Sequence, residues 1–262
     1  MYKKYLNFAK KIANHAGKVM SKYFNENNGS FYKNDKTIVT KADTEINHYL
    51  IEQVKKTFPD HSVDGEEEQF GHSSYVWVCD PVDGTAMYAR HIPVACFSLA
   101  LVVDGEPVIG VVYDPFTNSL YEASKGTGAY LNGEPIHVSD IALDDMKSVS
   151  NFDMWPEATY NTYDAIKELG AKSYMLSIGS AVHACMEVAK GNFTFEIFSG
   201  GLHKNCDVAA SKIIVEEAGG VVTDLFGNNQ RYDESINGAV ICNKVNHKAV
   251  IKTLKKYIKN VR

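Results

Sequence analysis

The chain has 262 residues, 45% of them apolar and 23% charged, which suffices for a substantial core in one large domain or two tightly packed ones. Its net charge of −5 argues against a nucleic-acid partner, which calls for a basic patch. A small anionic substrate stays open, because a bound metal inverts the local sign.

In chain order, Tyr2, Tyr5, Leu6, Ala9, Ile12, Ala13, Ala16, Val19, Met20 and Tyr23 fall on one face of an amphipathic helix over residues 2–24. Lysines interleave with these positions and no cleavage site follows, so the segment is not a signal peptide. After a turn-rich loop at 25–35 comes a second helix, roughly 41–58, with Ile46, Leu50, Val54 and Phe58 spaced by four. The stretches YVWVC, CFSLALVV, VIGVVYD and LYEAS then read as strands, with a hairpin turn at 103–107 and another hairpin in GTGAYLNGEPIHV. None of these apolar runs is long enough to span a bilayer. From about 156 the pattern alternates: helix 156–169, strand YMLSIG, helix 180–190, strand FTFEIF, helix 207–218, then strands GVVTDLF and GAVICN. A lysine-rich helix from about 246 closes the chain, its apolar face Val250, Leu254, Tyr257 and Ile258 packed on the body. Residues 1–145 thus read as helices on a mostly antiparallel sheet and 146–262 as an α/β half, packed as layers of one compact unit. The cysteines at 79, 96, 185, 206 and 242 are scattered and never in a C-x-x-C pair, which points to reduced thiols, a cytoplasmic protein and no zinc site.

The stretch VWVCDPVDGTAMY, residues 76–88, concentrates the chemistry. Pro81 biases Asp80 toward the extended end of a strand, and Gly84 and Thr85 open a helical turn whose first amides face outward and attract anions. Two carboxylates three residues apart beside such amides suit a divalent cation held against a phosphate, with the Val82 carbonyl as a further oxygen. The same residues also fit a turn aspartate next to an Asp83 N-cap. Glu66 lies in an acidic run, DGEEEQFG, of the kind that usually forms a solvated loop, but a short loop joins it to the strand that leads to Asp80. Thr40-x-x-Asp43 has the form of a helix capping box; a functional role would set Asp43 near Thr85 to orient a water. Asp207 reads as an N-cap or first-turn acid of the helix at 207–218. The acids cluster at element ends, where α/β proteins build sites. Oxygen-only ligands favour Mg²⁺ or Mn²⁺, two or three ions of which would offset the repulsion.

GEE at 65–67, DPVDGT at 80–85 and CDVAASKIIVEEAGG at 206–220 resemble the inositol monophosphatase family of the magnesium-dependent, lithium-sensitive phosphatases, and the likeness runs in order along nearly the whole chain. The resemblance implies an α+β fold, a layered α/β/α/β/α sandwich, in a homodimer. It implies that Glu66 ligates a first metal and orients the nucleophilic water with Thr85 and Asp43. Asp80 would bridge metals, the Val82 carbonyl would ligate the first, and Asp83 and Asp207 the second. Asp83, Gly84, Thr85 and position Gly200 would meet the substrate. The implied reaction is phosphomonoester hydrolysis by metal-activated water, with charge neutralised where it develops.

Three positions depart from the family pattern. Val82 replaces Ile or Leu, without consequence for a carbonyl ligand. Cys206 stands where the family has Trp, which would widen the pocket and leave an oxidisable thiol beside a ligand. Gly200 occupies the position of a glutamate in inositol-specific members, and TAMYAR replaces T-x-N-F. His203 and Lys204 either meet an anionic substrate group or are surface residues. The expected partner is a small phosphorylated metabolite, with inositol 1-phosphate as default. Fructose 1,6-bisphosphate, 3′-phosphoadenosine 5′-phosphate and histidinol phosphate compete, as does a phosphatase-like regulatory binding protein. Neither a nucleic acid nor a membrane is expected as partner.

Overall fold

The computed structural model describes residues 2–26, 29–32, 38–153, 158–200 and 204–260. Alternation along two long strands sets its architecture. On Tyr75–Asp83, Trp77 and Cys79 point to one face and Val76 and Val78 to the other. Cys96–Val103 repeats the pattern, with Phe97, Leu99 and Leu101 opposed to Ala100 and Val102. Both faces of this sheet are therefore buried, each large apolar side chain contributing about 1.5–3 kcal/mol. The first face packs on α1 (Lys3–Asn25) and α2 (Lys41–Thr57), whose apolar stripes include Ile12, Ala16, Ile46 and Leu50. Thr40 and Asp43 form the capping box at the start of α2.

The sheet has eight strands in the order Glu134–Pro135, Ala129–Leu131, Ser119–Ser124, Glu106–Asp114, Cys96–Val103, Tyr75–Asp83, Ser62–Gly65, Gln69–Phe70. Its pairs are antiparallel except that Ser62–Gly65 runs parallel to Tyr75–Asp83. The second face meets α5 (Ala181–Ala189) and α6 (Asn205–Glu217) through Val182, Met186, Ala209 and Ile213. Gly110 permits the close approach: a Cβ there would lie 2.6 Å from both the Ala210 carbonyl oxygen and Ile213 Cγ2.

Beyond α5 and α6 lies a five-stranded sheet in the order Tyr174–Leu176, Val149–Asp153, Phe195–Phe198, Ala239–Cys242, Val221–Thr223, parallel across the first three and antiparallel across the last three. Its outer face is closed by α4 (Tyr163–Leu169) and α7 (His247–Tyr257). The layers therefore run α/β/α/β/α. A further turn of helix, α3 (Thr85–Tyr88), follows the strand Tyr75–Asp83.

Two expectations need correction. The helix expected at 156–169 starts only at Tyr163, behind a short strand Tyr160–Asn161 that pairs with Lys259–Asn260; residues 156 and 157 lie outside the described residues. That pairing comes from the far end of the chain and overrides local helical preference. The helix expected at 207–218 starts at Asn205, so of the two readings of Asp207, cap or first-turn acid, the second holds. Among the described residues no helix is long and apolar enough to cross a membrane.

Candidate active site

The ladder between Tyr75–Asp83 and Cys96–Val103 is regular as far as Asp80 opposite Ser98, then slips so that Asp83 faces Cys96. Pro81 has no N–H to give the ladder, and a bulge is where a strand tolerates it. Asp80 Oδ1 accepts the Val82 N–H at 2.9 Å, which holds the bend. Gly84 follows with φ +85°, and a Cβ there would lie 2.6 Å from the Val94 carbonyl oxygen. Gly84, not Asp83, therefore precedes α3 as its cap, which leaves the Asp83 carboxylate for another partner. That partner is Ser180, the N-cap of α5. Ser180 Oγ accepts the His183 N–H at 3.1 Å and donates to Asp83 Oδ2, which also accepts the Val182 N–H at 3.1 Å.

Asp43 divides its two oxygens. Oδ2 accepts from the Thr40 N–H at 2.8 Å and from the Thr40 hydroxyl, which completes the capping box, while Oδ1 faces Thr85 Oγ1 at 3.4 Å. Thr85 Oγ1 donates to the Val82 carbonyl at 2.8 Å. Glu66 follows Ser62–Gly65, its N–H bound to the Cys79 carbonyl at 3.1 Å. Asp207 is buried, with Oδ1 accepting from Cys206 Sγ at 3.4 Å. Its Oδ2 has no hydrogen bond among the described residues. Lys204 Nζ lies 3.6 Å from that oxygen and 3.5 Å from Glu66 Oε1.

Crowding of buried acids dominates the electrostatics. Burial, then Glu66 and Asp207, pushes the Asp80 carboxyl well above the usual range; burial, then Asp207, does the same to Asp83. Asp207 is raised by burial against the pull of Lys204. Burial lifts Asp43 to about 7, despite the Thr40 hydrogen bonds. Ligand atoms of Asp80, Asp207 and Cys206 lie within 4.8 Å of one another. An orphaned carboxylate oxygen amid mutually repelling acids is what a divalent cation would relieve, and the carboxylate and carbonyl donors suit a hard ion. The residues present fit such a group.

The structure thus brings Asp43, Glu66, Asp80, Val82, Asp83, Thr85 and Asp207 together through strand, helix start and loop. At Gly200, where inositol-specific members carry a glutamate, the structure leaves no room for a side chain. The glycine is buried with φ +81°, and a Cβ would lie 2.4 Å from the Gly238 nitrogen, so backbone fills the space of the missing side chain. Cys206 is buried, and burial and Asp207 raise its thiol pKa well above the ordinary value, which disfavours the thiolate that oxidation needs. His203 lies outside the described residues. Sequence reasoning missed Ser180 and Val182. Gly179–Ser180 before an apolar run is an N-cap signal, but nothing local ties it to an aspartate 97 residues earlier. It also missed Asp153 and Glu196 on the neighbouring sheet, whose carboxyls burial raises, that of Asp153 to about 6.

Residues 1–259 match the inositol monophosphatase family. The chain belongs to that family. The fructose-1,6-bisphosphatase/inositol-1-monophosphatase of Aquifex aeolicus is 35% identical over 269 residues, covering 98% of this chain and 97% of the relative. The Nus factor SuhB of Xylella fastidiosa is 33% identical over 234 residues, covering 87% of this chain and 84% of its own. Among solved structures, the Thermotoga maritima IMPase superposes with a TM-score of 0.85 at 28% identity over 97% of each chain. Inositol monophosphatase family members are metal-dependent phosphatases, and the chain is accordingly a hydrolase of phosphoric monoesters.

Proposed function

We propose that this phosphatase is a Mg²⁺-dependent phosphomonoesterase of small sugar or polyol phosphates, with inositol 1-phosphate as first substrate, working as a cytoplasmic homodimer. The observation that carries the reading is the buried set Asp80, Asp83 and Asp207 with its orphaned Oδ2, bordered by Glu66 and by the turn at Gly84 and Thr85. Glu66, Asp80, the Val82 carbonyl, Asp83 and Asp207 would hold two or three Mg²⁺ ions, with Mn²⁺ as a substitute. When bound, such ions supply positive charge to the phosphoryl oxygens and make water a better nucleophile.

The chain's own residues do the rest. The Thr85 hydroxyl proton is directed at the Val82 carbonyl, so the oxygen's lone pairs are free to accept from a water. As Thr85 accepts a proton from that water, its own hydroxyl proton turns from Val82 to Asp43 Oδ1, 3.4 Å away, and the Asp43 carboxyl, raised to about 7, receives it in its ionised form. Glu66 orients the same water. First-turn amides at Gly84 and Thr85 bind the phosphate, and the left-handed Gly84 keeps that backbone clear of a side chain. Asp83, fixed by Ser180 and Val182, meets the substrate's hydroxyl side. Gly200 belongs to the same substrate wall as backbone.

Phosphate release in Mg²⁺ from inositol 1-phosphate, fructose 1,6-bisphosphate, 3′-phosphoadenosine 5′-phosphate and histidinol phosphate tests the substrate class. A sugar or polyol phosphate should lead in kcat/KM by at least tenfold, about 1.4 kcal/mol in transition-state binding. Preference for the nucleotide or for histidinol phosphate would overturn that class, and wild-type turnover by Asp83→Asn would overturn the site. The likeness to a Nus factor gives a second reading, a regulatory binding protein on the same fold. It gains ground only if Mg²⁺ with phosphate leaves thermal stability unchanged, because a ligand of the folded state raises it.

A further inference from the structure

Among the described residues, the cation that ion-pairs with the acid cluster is Lys204, immediately before α6. Its side chain is only 17% exposed, and its ammonium sits 3.5 Å from Glu66 Oε1 and 3.6 Å from Asp207 Oδ2. An ammonium is not withdrawn from water unless opposite charges compensate it. Here the compensation is large enough to be visible: burial works against its charge, yet Asp207 and Glu66 raise its pKa well above the ordinary lysine value. Neither distance is that of a tight charge-assisted hydrogen bond. The nitrogen instead lies between two acids on different elements, one following the strand Ser62–Gly65 and the other in the first turn of α6, and the Asp207 oxygen it faces has no hydrogen bond among the described residues. A divalent ion held by Asp207 Oδ2 or by Glu66 would meet the ammonium that lies within 3.6 Å of both, and two cations crowded there repel each other.

We propose that Lys204 is a tethered counter-ion that fills the cation position of the metal-free cradle, so that Mg²⁺ binds by exchange with its ammonium. This inference rests on the metal-site reading above and adds to it a built-in competitor. Two consequences follow. The metal-free chain is held together by a charge that costs no external ion, and the intrinsic affinity of the carboxylates for Mg²⁺ is partly masked. The two have opposite signs when the lysine is removed, and that separates the proposal from a merely structural role. Loss of packing alone would lower stability and loosen metal binding together.

The test is calorimetric titration of Mg²⁺ into the metal-free full chain, with its thermal melting in chelator, for wild type, Lys204→Met and Lys204→Arg. Lys204→Met keeps the length of the side chain and removes the charge. It should bind Mg²⁺ at least tenfold more tightly, about 1.4 kcal/mol, while melting several degrees lower without metal. Lys204→Arg should stay close to wild type in both. Should Lys204→Met fold poorly, Lys204→Gln reads the same sign. Unchanged or weaker Mg²⁺ binding by the uncharged variants, with wild type still binding, would overturn the counter-ion role and leave the metal site standing. No Mg²⁺ binding by wild type would overturn the metal site itself.

Discussion

Ser180→Ala removes two bonds with one atom. Ser180 is buried, and its Oγ both caps α5 through the His183 N–H at 3.1 Å and donates to Asp83 Oδ2. Loss of the cap costs about 1 kcal/mol, and loss of a hydrogen bond to a carboxylate about 1.5–3 kcal/mol. The two share an oxygen and do not add fully, so about 3 kcal/mol is expected. For a chain of this size that is a fall of roughly 6–12 °C in Tm, read by circular dichroism in chelator. The functional effect has a separate signature. Asp83, already raised by burial and by Asp207, loses a donor that lowers its pKa, so protons compete better with metal. Mg²⁺ affinity should fall about tenfold at pH 7 and recover toward wild type at pH 9. Ser180→Thr keeps both bonds and should behave as wild type. If Ser180→Ala melted within about 2 °C of wild type, less than a 1 kcal/mol loss, and bound Mg²⁺ equally well at both pH values, the assignment of Ser180 to Asp83 would be refuted.

Asp43→Asn tests the acid that burial lifts to about 7. In the unfolded chain this carboxyl titrates near about 3.9, so the folded state holds the extra proton in between and the wild type loses stability as pH rises from about 4 to about 7. Denaturant titrations in chelator at several pH values should show that slope reduced in Asp43→Asn; equal slopes would count against it. Glu187 is the opposite case: burial works to raise it, but hydrogen bonds from His183, Lys190 and Asn192 hold it at about 2. The stability difference between wild type and Glu187→Gln should be full above about pH 4.3 and vanish as pH falls through about 2, in melts across acid pH. Gly110→Ala pushes a methyl group to 2.6 Å from the Ala210 carbonyl and Ile213. About 1–3 kcal/mol of overpacking cost is expected in urea, with reduced turnover because α6 carries Asp207; an unaltered midpoint would show that the layers have room to part.

What was legible in the chain is what neighbours in sequence decide. The capping box at Thr40 and Asp43, the bend at Pro81 and the first-turn acid Asp207 are each written within four or five residues, and the structure shows each local form. CFSLALVV likewise reads as a strand from its own residues, and the structure buries it on both faces. Illegible were the decisions made at a distance. Tyr160–Asn161 is a strand because Lys259–Asn260 comes back to pair with it. Ser62–Gly65 lies parallel in an otherwise antiparallel sheet because its partner is reached through Gln69–Phe70 and a turn. Nothing near Gly200 in the sequence tells that the nitrogen of Gly238 lies where its Cβ would be. Proximity of that kind belongs to the folded layers and leaves no mark on a window of residues.

The acids of the site come from different layers: Asp43 from α2 on the outside, Asp80 and Asp83 from the eight-stranded sheet, and Asp207 from α6 between the sheets. Val182 and Ser180 add a further helix of that middle layer. No hairpin or half of the chain owns enough of them to act alone. Catalysis therefore becomes a reporter of finished assembly: in refolding, turnover should return with the slowest docking step and not with the earlier recovery of helix signal. A nascent or partly unfolded copy is thereby silent toward the phosphate esters around it.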